Sequence, residues 1–256
     1  MKKYCMVGID CDPDRCTYPE LNWNGVRSIE KILGVIPFAL NIRRDFEIAF
    51  KTGDIDYCFN FPIIQKAKEF GCSIGIHYHS TDKDGKFFHD PQHLNGPDEF
   101  KGSIHDGWCY EGLLEEESKL GYKLNYSPTP GSSGPYYHWV NWDNEPKWID
   151  DMLVLPVQTI KTRIARTYNN IATVHPTAPP LLFRRIVKEF EKTNNNTLCC
   201  YFHADELFGF IDGIRKYAYS QRNLISNIKF MEKRGFMFEN ASQVYERFLN
   251  ERKNRK

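Results

Sequence analysis

Val7-Gly8-Ile9-Asp10-Cys11-Asp12 closes the first strand-like run of this chain, and two later runs end in a similar way. The later runs are Ile74-Gly75-Ile76-His77-Tyr78-His79 and Cys199-Cys200-Tyr201-Phe202-His203. The side chains of residues i and i+2 of a strand point to the same face. Those of Asp10 and Asp12 can therefore reach one site, and so can those of His77 and His79. Because a core does not tolerate unpaired carboxylates, these strand ends indicate a site that holds one divalent metal and keeps a spare base. The pattern is typical of a metal-dependent hydrolase.

Each of these stretches also has a simpler interpretation. The Asp-x-Asp pair is followed by Pro13 and Asp14, which is typical of a turn or a helix N-cap. A single histidine near a strand end can be a structural residue with satisfied hydrogen bonds. The metal-site hypothesis therefore depends on the three stretches occurring together and in this order.

Composition limits the classes of function. The chain has 256 residues, of which 41% are hydrophobic and 26% charged, and its net charge of +1 gives no overall attraction to nucleic acid or to an anionic membrane. No window approaches the ~18 apolar residues of a membrane span. The first apolar run is too short for a secretory signal, and the eight cysteines form no Cys-x-x-Cys pair. These features predict a cytoplasmic protein with reduced thiols, and they leave its oligomeric state open.

Strand-like and helix-like segments alternate along the chain, which predicts an α/β fold with mainly parallel strands. Strands are expected at residues 3–10, 35–42, 73–79, 122–126, 152–156 and 198–203. Helices are expected at residues 24–33, 61–70, 107–120, 178–192 and 221–233. Residues 80–106 are polar and predict an active-site loop, and residues 250–256 predict a frayed basic tail. With no repeat and no linker, residues 1–256 are predicted to form a single domain.

These residues resemble the polysaccharide deacetylases of carbohydrate esterase family 4. The stretch 9–12 is similar to the family's first motif, an apolar strand that ends in two aspartates. The stretch 71–77 matches the second motif except at its glutamate, and Thr81 stands where a second histidine is usual. The stretches 201–207 and 231–236 are similar to the last motif, so the resemblance spans nearly the whole chain.

The resemblance implies a fold and a set of roles. The fold is a single irregular (β/α)7 barrel, and the activity is removal of an acetyl group from a sugar. Asp10 would be the catalytic base and His203 the acid. A divalent metal, Zn²⁺ by preference, would be held by Asp12, His77 and His79. Reserve ligands lie in the polar loop, at His89, His93 and His105.

The resemblance also implies a substrate class. The similar subtype consists of deacetylase-like proteins of O-antigen or surface-polysaccharide biosynthesis, whose substrates would be acetylated amino sugars on a nucleotide, lipid or polysaccharide. Several aromatic residues are candidates either for a sugar-binding cleft or for the core: Trp108, Tyr136, Tyr137, Trp139 and Trp142.

One departure from the family motivates two alternatives. The family carries an Arg-x-Pro motif whose arginine orients the base, but residues 126–131 contain prolines and no arginine. Arg163 or Arg166 are candidates for the missing role. A barrel that binds glycans without turnover is therefore one alternative. An Asp-x-Asp, Mg²⁺-dependent phosphatase of the haloacid dehalogenase type is the other, although it leaves His77, His79 and His203 unexplained.

Overall fold

The structure is a computed structural model. It describes residues 2–11, 39, 43–51, 62–69, 71–78, 94–106, 112–131, 133–134, 137–139, 141–161, 171–173, 175–208, 210–211, 214–215 and 218–254. The helix expected at residues 24–33 and the strand expected at residues 35–42 lie outside these ranges, apart from Ala39.

The strands, in chain order, are β1 (Lys3–Cys11), β2 (Glu47–Lys51), β3 (Ile74–Tyr78), β4 (Ile104–Asp106), β5 (Leu124–Asn125), β6 (Ser133–Gly134), β7 (Tyr137–His138), β8 (Lys147–Ile149), β9 (Met152–Val154), β10 (Thr159–Lys161), β11 (Ile171–Thr173), β12 (Thr197–His203), β13 (Phe210–Ile211), β14 (Ile214–Arg215) and β15 (Phe236–Phe238). The α-helices are α1 (Pro62–Glu69), α2 (Leu113–Lys119), α3 (Pro180–Phe190), α4 (Gln221–Lys233) and α5 (Ala241–Asn254). Short 3₁₀ helices cover Asp98–Phe100 and Ala204–Phe208.

The main sheet has the strand order β12-β1-β2-β3-β4-β5-β9-β8, and β15 pairs with the first residues of β1. Neighbours in this order are parallel except for β8 and β9. The sheet curls, and the Gln158 N–H donates to the Cys199 carbonyl at 3.1 Å, which joins the segment after β9 to β12 at the other end of the order. The predicted α/β fold with mainly parallel strands is confirmed in this curled sheet.

Two apolar clusters lie on the two faces of the sheet. The inner cluster, which fills the space that the sheet encloses, contains Met6, Ala49, Leu124, Tyr126, Leu153, Leu155, Val157, Cys199, Ala241 and Val244. The outer cluster, which joins the strands to α3 and α4, includes Val7, Ile9, Ile48, Ile76, Phe183, Ile186, Leu198, Phe202, Leu224 and Ile228. Because both faces are covered, strands such as β1 are buried along almost their whole length, as expected of parallel strands.

Helix α5 covers the end of the sheet where the parallel strands begin. Its first residue, Ala241, belongs to the inner cluster and donates its backbone N–H to Glu47 Oε2 at 3.1 Å. Glu47 is fully buried, and it also accepts the hydroxyl of Ser103 at 2.6 Å and that of Ser73. Gly75 makes this arrangement possible, since a Cβ there would lie 1.9 Å from Ser103 Oγ.

We expect Glu47→Gln to change how stability depends on pH. Burial raises the pKa of Glu47 to about 7 from its usual value of 4.5, against the hydrogen bonds of Ser103 and Ala241, which lower it. The folded protein therefore binds this proton more tightly than the unfolded chain does. The resulting stabilisation is complete below pH 4.5 and is lost as the pH rises towards about 7. Glutamine keeps the acceptor for Ala241 and has no charge to bury.

Denaturant unfolding of both proteins between pH 4 and 8 measures this effect. The wild type should lose free energy of unfolding relative to Glu47→Gln as the pH rises, by an amount on the order of 3 kcal/mol across the interval. A difference that is constant with pH, or one that favours the wild type as the pH rises, would contradict the assignment.

Two of the departures from the sequence-based expectation have a clear physical reason. Residues 80–106 were expected to be loop, but the end of this stretch forms β4, which is a strand of the main sheet. The tail expected to be frayed is helical as far as Asn254, because α5 is anchored by apolar side chains against the inner cluster. Of the helices in the described part of the chain, none is long and apolar enough to cross a membrane.

Candidate metal centre

Four ionisable side chains meet at the carboxyl ends of the parallel strands. Asp10 is the last residue of β1 whose side chain faces the inside of the sheet, and it is paired with His203 on the neighbouring strand β12. His77 on β3 is paired in the same way with His105 on β4. In a barrel the carboxyl ends of the strands form a common rim, which is where such sheets build their sites.

Asp10, His77 and His105 form a cluster suited to a metal ion. One ligand atom from each side chain lies within 4.8 Å of the others, and all three residues are buried. His105 Nδ1 lies 2.8 Å from Asp10 Oδ2. Asp10 Oδ1 is buried and has no hydrogen-bond partner among the described residues. Two imidazoles and a carboxylate are a usual donor set for zinc, so these residues fit a divalent metal.

The tautomer of His77 is fixed by its hydrogen bond. Its Nδ1 lies 2.8 Å from the backbone oxygen of His105, and a carbonyl can only accept, so Nδ1 carries the proton. Nε2 then holds the lone pair that a metal ligand needs. Metal-binding histidines in proteins are commonly oriented by such a bond from the second ring nitrogen.

The His105 ring is held by aromatic neighbours. It stacks on Tyr126, with ring centres 4.5 Å apart and planes 5° apart, and on His77 with centres 5.4 Å apart. Tyr126 in turn lies against Gly8, where a Cβ would come within 2.8 Å of its ring. Only glycine at this position leaves room for the tyrosine, so β1 helps to position His105 as well as Asp10.

A buried polar network supports β4 from the outer face. Asn125 Nδ2 donates to Asp106 Oδ2 at 2.8 Å and to Glu117 Oε2 at 2.7 Å. The Ser127 hydroxyl donates to Asp106 Oδ2 at 2.6 Å. Burial raises the pKa of Glu117 well above its usual value, and the charge of the adjacent Asp106 and its hydrogen bond raise it further. This network ties β4 to β5 directly behind His105.

The electrostatics at Asp10 favour a carboxylate. Burial alone would raise its pKa, but the charges of His105 and His77, the hydrogen bond from His105 and the charge of His203 lower it below the usual value. Asp10 is thus ionised at neutral pH, which is the state required of either a metal ligand or a base.

His203 borders the cluster and is oriented by Glu206. Its Nε2 lies 3.9 Å from Asp10 Oδ2, and its Nδ1 lies 3.2 Å from Glu206 Oε1. Glu206 also accepts the backbone N–H of His203 at 3.1 Å. Burial alone would raise the pKa of Glu206, but His175 and then His203 lower it well below its usual value. A buried carboxylate that stays ionised can stabilise the protonated form of His203.

The structure brings together only some of the residues that the sequence nominated. Asp10, His77 and His203 meet, and His105, a reserve ligand in the sequence analysis, joins them from β4. The other nominated ligands, Asp12, His79, His89 and His93, lie outside the described residues, as do Trp108, Arg163 and Arg166.

The remaining aromatic candidates are placed as follows. Tyr137 lies on β7, and its side chain is outside the described part of the chain. Trp139 is buried within the outer cluster, where its ring meets that of Trp142 edge to face at 5.6 Å. Tyr136 lies outside the described residues.

Glu206, Tyr126 and His175 were missed at the sequence level. The resemblance implies an aspartate that supports the catalytic histidine, and Asp205 lies two residues after His203 in the sequence. Glu206 reaches back to His203 because the chain turns into a 3₁₀ helix directly after β12, which places residues i and i+3 together. That spacing was available in the sequence. No comparable local signal marks His175 or Tyr126.

Comparison with known proteins gives a fold. No protein-family profile and no curated protein sequence matches the chain. Among solved structures, it is similar to a protein from Mycobacterium smegmatis described as a polysaccharide deacetylase, with a TM-score of 0.55 and 12% identity over 98% of this chain and 92% of that one. It is also similar to 4-alpha-glucanotransferase from Thermococcus litoralis, with a TM-score of 0.54 and 11% identity over 96% of this chain and 40% of that one. The chain therefore has the fold of a polysaccharide deacetylase, which confirms the resemblance at the level of architecture.

Proposed function

We propose that this chain is a metal-dependent deacetylase that hydrolyses the N-acetyl or O-acetyl group of a sugar. The observation that carries the proposal is the buried cluster of Asp10, His77 and His105 with His203 at its edge. The deacetylase fold supports it, because the cluster lies at the rim of the sheet where barrel enzymes place their chemistry.

Zinc is the metal we propose, since two imidazoles and one carboxylate suit it better than Mg²⁺, which prefers oxygen ligands. A divalent ion bound there would supply Lewis acidity to an acetyl carbonyl and to a water molecule. Asp10, His77 and His105 would hold it. Asp12 and His79 keep the ligand roles that the resemblance gave them as part of the same proposal.

His203 is the proposed general acid. Its Nδ1 faces the Glu206 carboxylate, so Nδ1 carries a proton and Nε2 is directed to the side of Asp10, 3.9 Å from Oδ2. When protonated, His203 would donate from Nε2 to the departing amine or alcohol, and the Glu206 charge stabilises the imidazolium before that transfer. The resemblance assigns the base to Asp10, while the geometry favours Asp10 as a ligand.

The side chains distinguish between activities that the fold alone does not. The fold is equally similar to a 4-alpha-glucanotransferase, but glycosyl transfer uses a pair of carboxylates on either side of the sugar bond. Around Asp10 the neighbours are imidazoles, which such a mechanism would leave without a role. An Asp-x-Asp phosphatase likewise gives no role to His77 and His105, because Mg²⁺ seeks oxygen.

The proposed setting follows the resemblance. Residues 1–256 are taken as a single barrel domain that acts in the cytoplasm. The substrate would be an acetylated amino sugar linked to a nucleotide, a lipid or a polysaccharide, as in O-antigen or other surface-polysaccharide biosynthesis. Trp108 and Tyr137 remain the proposed sugar-contacting residues, whereas the burial of Trp139 in the outer cluster favours the core alternative for that residue.

Acetate release tests the proposal. Metal-stripped and Zn²⁺-reconstituted protein should be compared on acetamido-sugar nucleotides and glycolipid-linked sugars, with Mg²⁺ reconstitution as the matched control. We expect release to be abolished by stripping and restored by Zn²⁺ but not by Mg²⁺. Glycan and metal binding without acetate release would favour the non-catalytic barrel, to which the missing arginine at residues 126–131 points. Phosphate release that depends on Mg²⁺ would favour the phosphatase.

A further inference from the structure

Glu206 is fully buried and holds two histidines through one oxygen. Oε1 lies 2.9 Å from His175 Nδ1 and 3.2 Å from His203 Nδ1. Oε2 accepts the hydroxyl of Thr177. The proposed mechanism uses the His203 side of this arrangement and gives no role to His175.

The segment that carries His175 is held by hydrogen bonds from helix α4. Asn227, a buried residue of α4, donates through Nδ2 to the carbonyl oxygens of Pro176 and Ala178, at 2.9 Å each. Helix α4 itself begins after Ser220, whose hydroxyl accepts the backbone N–H of Asn223. The contact between His175 and Glu206 is therefore held by a rigid scaffold.

His175 is linked to the candidate metal centre through Tyr201. Its ring centre lies 4.9 Å from that of Tyr201, and the Tyr201 ring centre lies 4.5 Å from that of His105. Since the ionised Glu206 only accepts, His175 Nδ1 is the donor in their hydrogen bond. His175 thus contributes a donor to the carboxylate that orients His203.

We propose that His175 is a positioning residue for deacetylation: its Nδ1–H fixes the Glu206 carboxylate so that His203 keeps Nε2 directed towards Asp10. This inference rests on the proposed function. Without the His175 donor, Oε1 keeps only its contacts with His203, and the Thr177 hydroxyl at Oε2 is the remaining bond that orients the carboxylate from outside the pair. A general acid has to lie within hydrogen-bond reach of its target, so a freer His203 ring lowers kcat.

Two substitutions separate the donor from the rest of the ring. His175→Asn places an amide N–H near the Nδ1 position, whereas His175→Phe keeps the ring and removes the donor. We expect His175→Phe to lower kcat by roughly 10–100-fold, the usual cost of removing an orienting partner, with little change in KM or bound metal. We expect His175→Asn to keep most of the wild-type kcat. His175→Gln, whose amide extends to the Nε2 position, replaces the phenylalanine variant if that protein does not fold.

Asn223→Ala is the control for the scaffold, because it removes the Nδ2 donor to the Thr177 carbonyl at 3.0 Å without touching Glu206. If it lowers kcat as much as His175→Phe, the placement of the segment 175–178 accounts for the effect without a specific role for the His175 donor, and the inference is overturned. An unchanged kcat in His175→Phe, or an increased KM that asparagine does not restore, also overturns it. A wild type that releases no acetate overturns the proposed function itself, so the two failures are distinguishable.

Discussion

Asp10→Ala is expected to remove both the bound metal and acetate release. Asp10 is fully buried, its Oδ1 has no hydrogen-bond partner among the described residues, and His105 Nδ1 lies 2.8 Å from its Oδ2. Removal of this carboxylate leaves His77 and His105 as the described members of the cluster. The loss of metal affinity should exceed the 10–100-fold that is roughly typical of changing an orienting partner.

Metal content after dialysis and the rate of acetate release together measure this effect. His77→Ala and His105→Ala should behave in the same way, because each removes one member of the cluster. Asp98→Ala is the matched control, since the Asp98 side chain is 95% exposed and pairs only with Lys101 at 2.8 Å in the described structure. An Asp10→Ala protein that binds metal fully but is inactive would reject the ligand role and favour the role of base that the sequence suggested.

The sequence predicts the strands that are buried on both faces. β1, β9 and β12 are short apolar runs, and their covered faces explain why alternation is absent. It also predicts α4, whose observed bounds coincide with the expected ones. The convergence of strand ends follows from parallel pairing, and Asp10 and His203 do meet although 193 positions separate them in the chain. The expected approach of Asp12 and His79 stays a prediction.

The sequence does not predict β4, and the physical reason is its length. A strand of three residues has no measurable period, and Ile104, His105 and Asp106 follow a long polar stretch that is typical of a loop. The strand exists because β3 and β5 flank it and because buried hydrogen bonds hold Asp106. The reserve ligand His105 therefore reaches the site from the sheet, not from a loop that folds back.

Helix α5 is a different case, because its signal was present in the sequence. Ala241, Val244, Tyr245 and Phe248 recur with helical spacing and contact the inner cluster. Basic residues near the end of the chain obscured this pattern. The contact between Glu206 and His203 could also have been predicted, because Glu206 lies three residues after His203. The family, however, has an aspartate rather than a glutamate in this role.

His203→Ala is expected to lower kcat by roughly 10²–10⁴-fold, the usual contribution of general acid–base catalysis, while the protein keeps its metal. The reason is geometric: His203 Nε2 lies 3.9 Å from Asp10 Oδ2 at the edge of the cluster, whereas the candidate ligands are Asp10, His77 and His105. Added imidazole should restore part of the rate, because it can occupy the space left by the side chain and donate the same proton.

Glu206→Gln provides the conservative counterpart. Its amide oxygen can accept from His203 and its amide nitrogen can donate to the Thr177 hydroxyl, so the fold should be retained. What is lost is the negative charge that stabilises the imidazolium, and kcat should fall while KM and metal content stay near the wild-type values. Loss of metal in either variant would place His203 among the ligands. A full rate in His203→Ala would show that the proton of the leaving group comes from elsewhere, and the proposed division of roles between Asp10 and His203 would then be wrong.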